Sequence, residues 1–378
     1  MQKWYFITGI FLILLSCKEI KKSDYSKEIF KETVNINYAK GFEINKLNGY
    51  KIITLHNPWP GTETEFRYAL KEKGTTLPTS EKFDAVIEIP VSNIVVTSTT
   101  HIPSLEMLHV SESLVGFPNL NYISSEITRK RIDEGKIIEL GKNEDINTEV
   151  LIDLSPDVVV GFAVDGNNNA FNTIQKTGIP VVYNSDWTET SPLGKAEWIK
   201  FFGALFNKEK EADSIFKTIE FQYNSAKKTA AQAVSKPTVL CGAMYKDVWY
   251  LPQGNSWTAQ FINDANADYL WSDSNGTGSH SLNLESVLEK GRTADFWIGP
   301  GQFTSLQQMK DAHNVYKEFD AYKNKQVFSF SSKEGATGGV LFYELAPNRP
   351  DLVLKDIIKI LHPELLTNYE PFFYTHLE

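Results

Sequence analysis

The sequence is short of cysteine, of arginine and of long apolar runs. Two cysteines, Cys17 and Cys241, occur in 378 residues. No disulfide framework is available, so the fold must rest on burial of a large core. Arginine occurs only at positions 67, 129, 131, 292 and 349, and the net charge is −9. Runs such as KEIKKSDYSKE and FNKEKEAD mix signs and read as solvated surface. Phosphate backbones are gripped by clustered cations, so nucleic acid is excluded as a partner. No apolar run reaches the ~20 residues that a membrane-spanning helix needs. Also missing are His-Glu-x-x-His, Cys-x-x-Cys, Gly-x-Ser-x-Gly and Gly-x-x-x-x-Gly-Lys, so the common hydrolase, redox and phosphate-binding signatures are not there. DSNGTGSHS, near Asp273, fails the acidic spacing of an EF-hand. Ser279 beside His280 is no triad, which is defined by geometry, and the stretch reads as a Gly-rich turn. Seven histidines are scattered, so no converging metal-ligand set, no cofactor and no catalytic group is expected.

What is present begins at the N-terminus. MQKWYFITGIFLILLSC places one lysine before an apolar run of about 12 residues from Trp4 to Leu15, the proportions of a signal-peptide core. It ends in Leu-Leu-Ser-Cys, which resembles the lipobox of bacterial lipoproteins. Residues 1–17 are read as signal peptide and lipobox, with Cys17 the lipidated first residue of an exported, membrane-anchored chain facing the periplasm or cell surface. The alternative is an ordinary secretory signal with a stray cysteine. Cys241, in the apolar run TVLCGAMY, is expected to be a small buried residue.

Residues 18–33 are charged and aperiodic, a tether. Residues 34–90 are read as a β-rich entry segment, on the strand patterns of YKIITLHNP, EFRYALKEK and DAVIEIP. From Val91 strands alternate with helices: NIVVTST, SLEMLHV, ESLVGFPN, NTEVLIDLS, DVVVGF, AFNTIQKTG, IPVVYNSD. That alternation implies a parallel sheet covered on both faces, an N-terminal lobe over 91–192. Residues 193–235 carry almost no strand signal. Ala212, Ile215, Phe216, Ile219, Tyr223 and Ala226 recur at helical spacing. With no Pro or Gly from Asn207 to Ser235, a helix of about 40 Å is expected there. A second alternating series, 236–378, makes a C-terminal lobe. The fold class expected is therefore α/β: two Rossmann-like lobes with mainly parallel sheets, joined by one long helix, plus the β-rich N-terminal segment.

One unit occurs twice, INTEVLIDLSPDVVVG from Ile146 and LNLESVLEKGRTADFWIG from Leu282. Asn147 and Asn283 are expected N-caps. Glu149 and Glu285 then fall in the first turn, where the helix dipole favours a carboxylate by roughly 0.3–1 kcal/mol. Capping explains each copy; it does not explain one copy per lobe. Two related carboxylates, one per lobe, form a pair of pegs for a partner with two basic sockets.

The order of VVTSTTHIPSLEMLHV, INTEVLIDLSPDVVVGF, TGIPVVYNSDW, SPLGKAEWIKFFGALFNKEKEAD and DLVLKDIIKILHPEL resembles the substrate-binding proteins of bacterial ABC importers for iron–siderophores, haem and vitamin B12. The resemblance covers about residues 91–365. It implies a monomer that binds a small-molecule metal chelate between its lobes. It also implies delivery to an ABC permease dimer with ATPase subunits, with Glu149 and Glu285 meeting the permease. TSTTHIP departs from the Ser-Pro often found at the end of the first strand, and the entry segment is longer than in compact members. Loops at strand ends supply the expected ligand contacts: Trp59, Thr100, His101, Phe162, Trp187, Tyr245, Trp249, Trp257, Phe303, Tyr343 and Glu344. Aromatic walls suit a large planar or macrocyclic ligand. With so few arginines, a corrinoid, haem or hydroxamate-type complex fits better than a tri-anionic catecholate. Haem would need an axial ligand, for which His101 with Tyr245 or Tyr343 is the candidate set. The competing class is a chelatase-like lipoprotein enzyme on the same bilobed scaffold.

Overall fold

The computed structural model describes residues 32–166 and 168–378. The stretch read as signal peptide, the expected lipidation site Cys17 and residues 18–31 of the expected tether lie outside them. Among the described residues no helix is long and apolar enough to cross a membrane.

Two mainly parallel five-stranded sheets form the lobes. The first has the order Val181–Tyr183, Val158–Gly161, Ile94–Val96, Leu114–Phe117, Ile138–Glu139, with every pair parallel. The second runs Asp268–Tyr269, Thr238–Cys241, Phe296–Ile298, Val327–Ser329, Thr375–His376, and only the last pair is antiparallel. Their central strands are continuous apolar runs because both faces are covered; Val158, Val159 and Val160 are all fully buried. This is the expected α/β pair of lobes.

The N-terminal sheet joins Glu32–Thr33, Phe42–Lys46, Tyr50–His56, Glu65–Glu72 and Ala85–Ile89 in chain order, antiparallel except for its last pair. Residues 32 and 33, read as tether, pair with Asn45 and Lys46 as an edge strand. The sheet shares one hydrophobic core with lobe one: Phe42, Ile53, Leu55 and Tyr68 pack in the same cluster as Val95, Val159, Phe201 and Phe202.

The connecting region 193–235 holds three helices, Pro192–Glu197, Ile199–Leu205 and Glu209–Ala230, and the helix expected from Asn207 to Ser235 is the third of them, somewhat shorter than about 40 Å. Asn207, at φ 55°, takes the left-handed conformation that ends the second piece. The third, 22 residues and about 33 Å at 1.5 Å per residue, is the spine. Its apolar face is split between the lobes. Ala212, Phe216 and Ile219 enter the first core, and Tyr223, Ala226 and Ala230 the second.

Residues 35–41 are strapped to the helices that lead into this spine and to the turn before them. Glu197, fully buried, accepts the backbone N–H groups of Asn37, Tyr38 and Ala39 at 2.6–3.0 Å and pairs with Lys200 Nζ at 2.8 Å. Glu189 accepts those of Lys40 and Gly41, at 2.8 and 2.9 Å, and the Trp198 indole N–H. Five successive donors thus end on two buried carboxylates.

TVLCGAMY is not one strand. Gly242, at φ 75°, breaks it where an added Cβ would sit 1.9 Å from the Tyr250 carbonyl oxygen. Ala243–Tyr245 then starts a separate antiparallel sheet with Val248–Pro252 and Ser279–Leu282. Cys241 is buried, as expected, and burial pushes its thiol up.

Candidate functional site between the lobes

A cavity of about 280 Å³ lies between the lobes, at the carboxyl ends of the strands. Open parallel sheets place ligands there because the loops after the strands converge at that edge. Lobe one contributes Thr97, Ser98 and Thr99 after Ile94–Val96, Phe117 and Pro118 at the end of Leu114–Phe117, Phe162 after Val158–Gly161, and also Tyr122 and Asn143. Lobe two contributes Gly339, Val340 and Tyr343. No acidic, basic or imidazole side chain is among these lining residues.

Local structure fixes several of the polar groups. Ser98 Oγ accepts the Thr100 N–H and caps the short turn Thr99–His101, which presents Ser98 and Thr99 to the cavity. Asn143 Nδ2 donates to the Thr97 carbonyl at 3.1 Å, and its buried Oδ1 has no protein partner. Such an acceptor is usually satisfied by water or by a ligand. The Tyr343 hydroxyl accepts from Gln302 Nε2 at 3.0 Å, while the residue stays half exposed.

Of the expected contacts, Phe162 and Tyr343 line this cavity. Thr100 lies just beneath it, donating to Asp186 Oδ2 at 2.8 Å and offering its carbonyl to Asn348. Trp59 packs half-buried against Phe66 and Tyr183. Lys195 Nζ donates to the backbone carbonyls of Asp186 and Trp187 and lies 5.4 Å from the Trp257 ring, while the Trp187 residue stands exposed. Trp257 and Tyr250 line a second, more open groove on lobe two, about 300 Å³. Tyr245 is exposed on the hairpin, and Phe303 is half-buried against Tyr316.

Three expectations are corrected. His101 is fully buried with its ring 5.5 Å from Phe202, and both ring nitrogens lack a protein partner. Burial holds its pKa below the usual value, and it does not reach the cleft as an axial ligand. Trp249 is fully buried, stacked on Trp297, with its indole N–H on the Cys241 carbonyl. Glu344 is buried, and its carboxylate accepts the Ser124 and Ser125 N–H groups of the opposite lobe instead of facing the cavity. Sequence reasoning passed over Thr97, Ser98, Phe117, Pro118, Tyr122 and Asn143. The first four sit at strand ends, so position along the strand was their available signal.

Both repeated units are capped as expected: Asn147 Oδ1 accepts the Val150 N–H at 3.2 Å, and Asn283 Oδ1 the Ser286 N–H at 2.8 Å. Glu149 and Glu285 stand exposed in the first turns of Thr148–Leu154 and Leu284–Gly291. Each helix runs back to feed a parallel strand, Val158–Gly161 or Phe296–Ile298, so each begins at the carboxyl-end edge of its sheet. That edge is the one that carries the cleft.

A family model described as periplasmic binding protein matches residues 94–334. An uncharacterized lipoprotein of Methanocaldococcus jannaschii is 28% identical over 342 residues, 84% of this chain and 80% of its own length. Among solved structures, an ABC-type Fe3+-hydroxamate transport system protein from Saccharomonospora viridis is similar with a TM-score of 0.54 at 17% identity, covering 72% of this chain and 94% of that one. A periplasmic haem-binding protein of Vibrio cholerae gives 0.54 at 16% identity, covering 70% and 99%. At such identities the structural likeness speaks for the fold.

Proposed function

The chain belongs to the periplasmic binding protein family, a family of binding proteins and not of enzymes, and from that premise we propose that it is the substrate-binding component of an ABC importer for a metal chelate of low net charge. The observation that carries this reading is the lining of the interlobe cavity: aromatic rings, hydroxyls and one amide, with no carboxylate, ammonium, guanidinium or imidazole. A tri-anionic catecholate complex would lose its hydration there without a cation to replace it. All five arginines are engaged elsewhere, Arg349 by Asp351 at 2.8 Å, Arg67 by Glu81, Arg292 by Glu318, and Arg129 and Arg131 by backbone carbonyls. A neutral hydroxamate chelate or a corrinoid suits the rings of Phe117, Tyr122, Phe162 and Tyr343 by burial and stacking. Haem stands behind them, since of its candidate axial ligands His101 is withdrawn from the cleft and only Tyr343 lines the cavity.

The test is a titration of tryptophan fluorescence with ferric hydroxamates, ferric catecholates, corrinoids and haem. Saturation is expected with a hydroxamate or a corrinoid, with affinity lowered at least tenfold by Tyr343→Ala. Preference for the catecholates, or silence across the panel, overturns the reading.

In this account Glu149 and Glu285 dock on the permease, and Cys17 carries the lipid anchor, in keeping with the lipoprotein description of the archaeal relative. The double variant Glu149→Ala/Glu285→Ala is expected to abolish uptake in cells while leaving chelate affinity unchanged. Cys17→Ser is expected to move the chain from the detergent phase to the aqueous phase. Undiminished uptake, or retention in the detergent phase, removes the respective role.

A further inference from the structure

One edge of the cleft is already held shut by residues 335–348 of lobe two. An added Cβ on Gly335 would lie 2.5 Å from Ser124 Cα, and one on Gly339 2.6 Å from the Tyr122 carbonyl oxygen. Neither glycine has positive φ, so it is the opposite lobe, and not the local backbone, that leaves no room for a side chain. Thr337 Oγ1 donates to the Asn121 carbonyl at 2.7 Å, and Ser124 Oγ to that of Gly339 at 2.9 Å. Asn348 accepts from Ser104 Oγ and donates to the Thr100 carbonyl, both at 2.8 Å. Glu344 Oε2 and Oε1 accept the N–H groups of Ser124 at 2.7 Å and Ser125 at 2.9 Å. Every one of these bonds crosses from one lobe to the other, and none needs a ligand. The cavity they leave, about 280 Å³, falls just below the ~300–1,000 Å³ typical of small-molecule sites. A chelate bulkier than this cavity is accommodated between the lobes only if they part.

We propose that residues 335–348 are a cargo-independent clasp that sets the resting width of the cleft, and that Glu344 makes the clasp pH-responsive, tighter in acid and looser at neutral and alkaline pH. The word cargo rests on the binding-protein reading above; the clasp itself does not. Glu344 has no cation to face. Glu106, on Ile102–Met107, comes to the same place, with Oε1 accepting Thr128 Oγ1 at 2.6 Å and the Ser125 hydroxyl. On Glu126–Asp133, residues Glu126, Lys130 and Asp133 are exposed, and Arg129 is spent on the Leu120 carbonyl. Arg349 is paired with Asp351, and His101 in the turn Thr99–His101 is buried and shifted toward neutrality. Burial raises the Glu344 carboxyl to about 7, Glu106 adds to this, and the two N–H bonds offset it only in part. With the lobes apart the group returns to water and to its ordinary value near 4.5. Closing thus takes up a proton between those values. The closed form gains on the open one as pH falls through that window, by up to about tenfold per unit, and the gain is gone above it.

The experiment uses the full-length protein in detergent without added chelate, spin-labelled at Asp133→Cys on lobe one and Asp311→Cys on lobe two, both exposed sites. Interlobe distances are compared at pH 5 and pH 8. Wild type should show one short distance at pH 5 and a longer population at pH 8. Glu344→Gln should give the same distribution at both, and Gly335→Ala the longer distance at both. If wild type does not respond to pH, or Glu344→Gln responds as wild type does, the proposal falls. It falls too if Gly335→Ala, folded by circular dichroism, matches wild type; should that variant not fold, the Glu344→Gln comparison decides alone. Because no cargo is present, a failed chelate titration leaves these outcomes untouched.

Discussion

Glu197 and Glu344 solve one problem in two ways. Each is a glutamate buried in a protein interior, and each gathers successive backbone N–H groups from a distant part of the chain. Glu197 also has Lys200 Nζ at 2.8 Å, itself 3.6 Å from Asp213, so its charge is compensated by a cation as well as by donors. Its partners lie on the strap and on Ile199–Leu205, both of which pack on the core of lobe one. Glu344 has two donors, no cation and a second carboxylate nearby, and its partners lie across the cleft from it. A desolvated charge held by a counter-ion is costly to separate, whereas one held by donors alone is shed more easily, by protonation or by a return to water. The strap thus behaves as a permanent brace that makes entry sheet, lobe one and spine a single body. The clasp is built to come apart.

The sharpest way to break that contrast is Glu197→Ala. It leaves the Lys200 ammonium, whose side chain is 4% exposed, with only the Asn35 carbonyl and Asp213 at 3.6 Å, and orphans three backbone donors. Removing one partner of a buried pair costs about 3–5 kcal/mol. Urea unfolding should show a loss of that size, with amides 37–39 becoming fast in hydrogen exchange. A loss below about 1 kcal/mol would mean that the pair is wet in solution and the strap no brace.

Much of this was legible beforehand, and the misses share a cause. The parallel strands read as apolar runs, and the spine's apolar face recurred at 3.6-residue spacing from Ala212 to Ala226; both are local patterns. Asn147 and Asn283 announced their caps three residues ahead. The strap could not be read that way, since Glu197 finds its donors about 160 residues upstream. Glu344 finds Ser124 220 residues away, and nothing near either residue signals a buried carboxylate. At the cleft the right strand ends were identified but the phase was missed. Ser98 caps a turn that sends His101 into the core, and Gly242 starts a hairpin that carries Trp249 inward onto Trp297. Aromatic residues near a loop gave no hint of which side of the loop they would take.

Asn348 offers the smaller and finer test. Its two bonds to lobe one are neutral and worth about 0.5–1.5 kcal/mol each, and both partners regain water once the lobes part. Asn348→Ala is therefore expected to lower the closed population in the spin-label experiment several-fold at pH 5 and to shift the urea midpoint little, because the loss falls on closure and not on either core. Combined with Glu344→Gln, the effects should exceed or fall short of their sum, since both residues act on one helix and loop that dock as a unit. Strict additivity would mean two independent contacts and no clasp. A large midpoint shift for Asn348→Ala alone would mean that lobe two needs lobe one to fold, and the distinction between brace and clasp would collapse into a single cooperative interface.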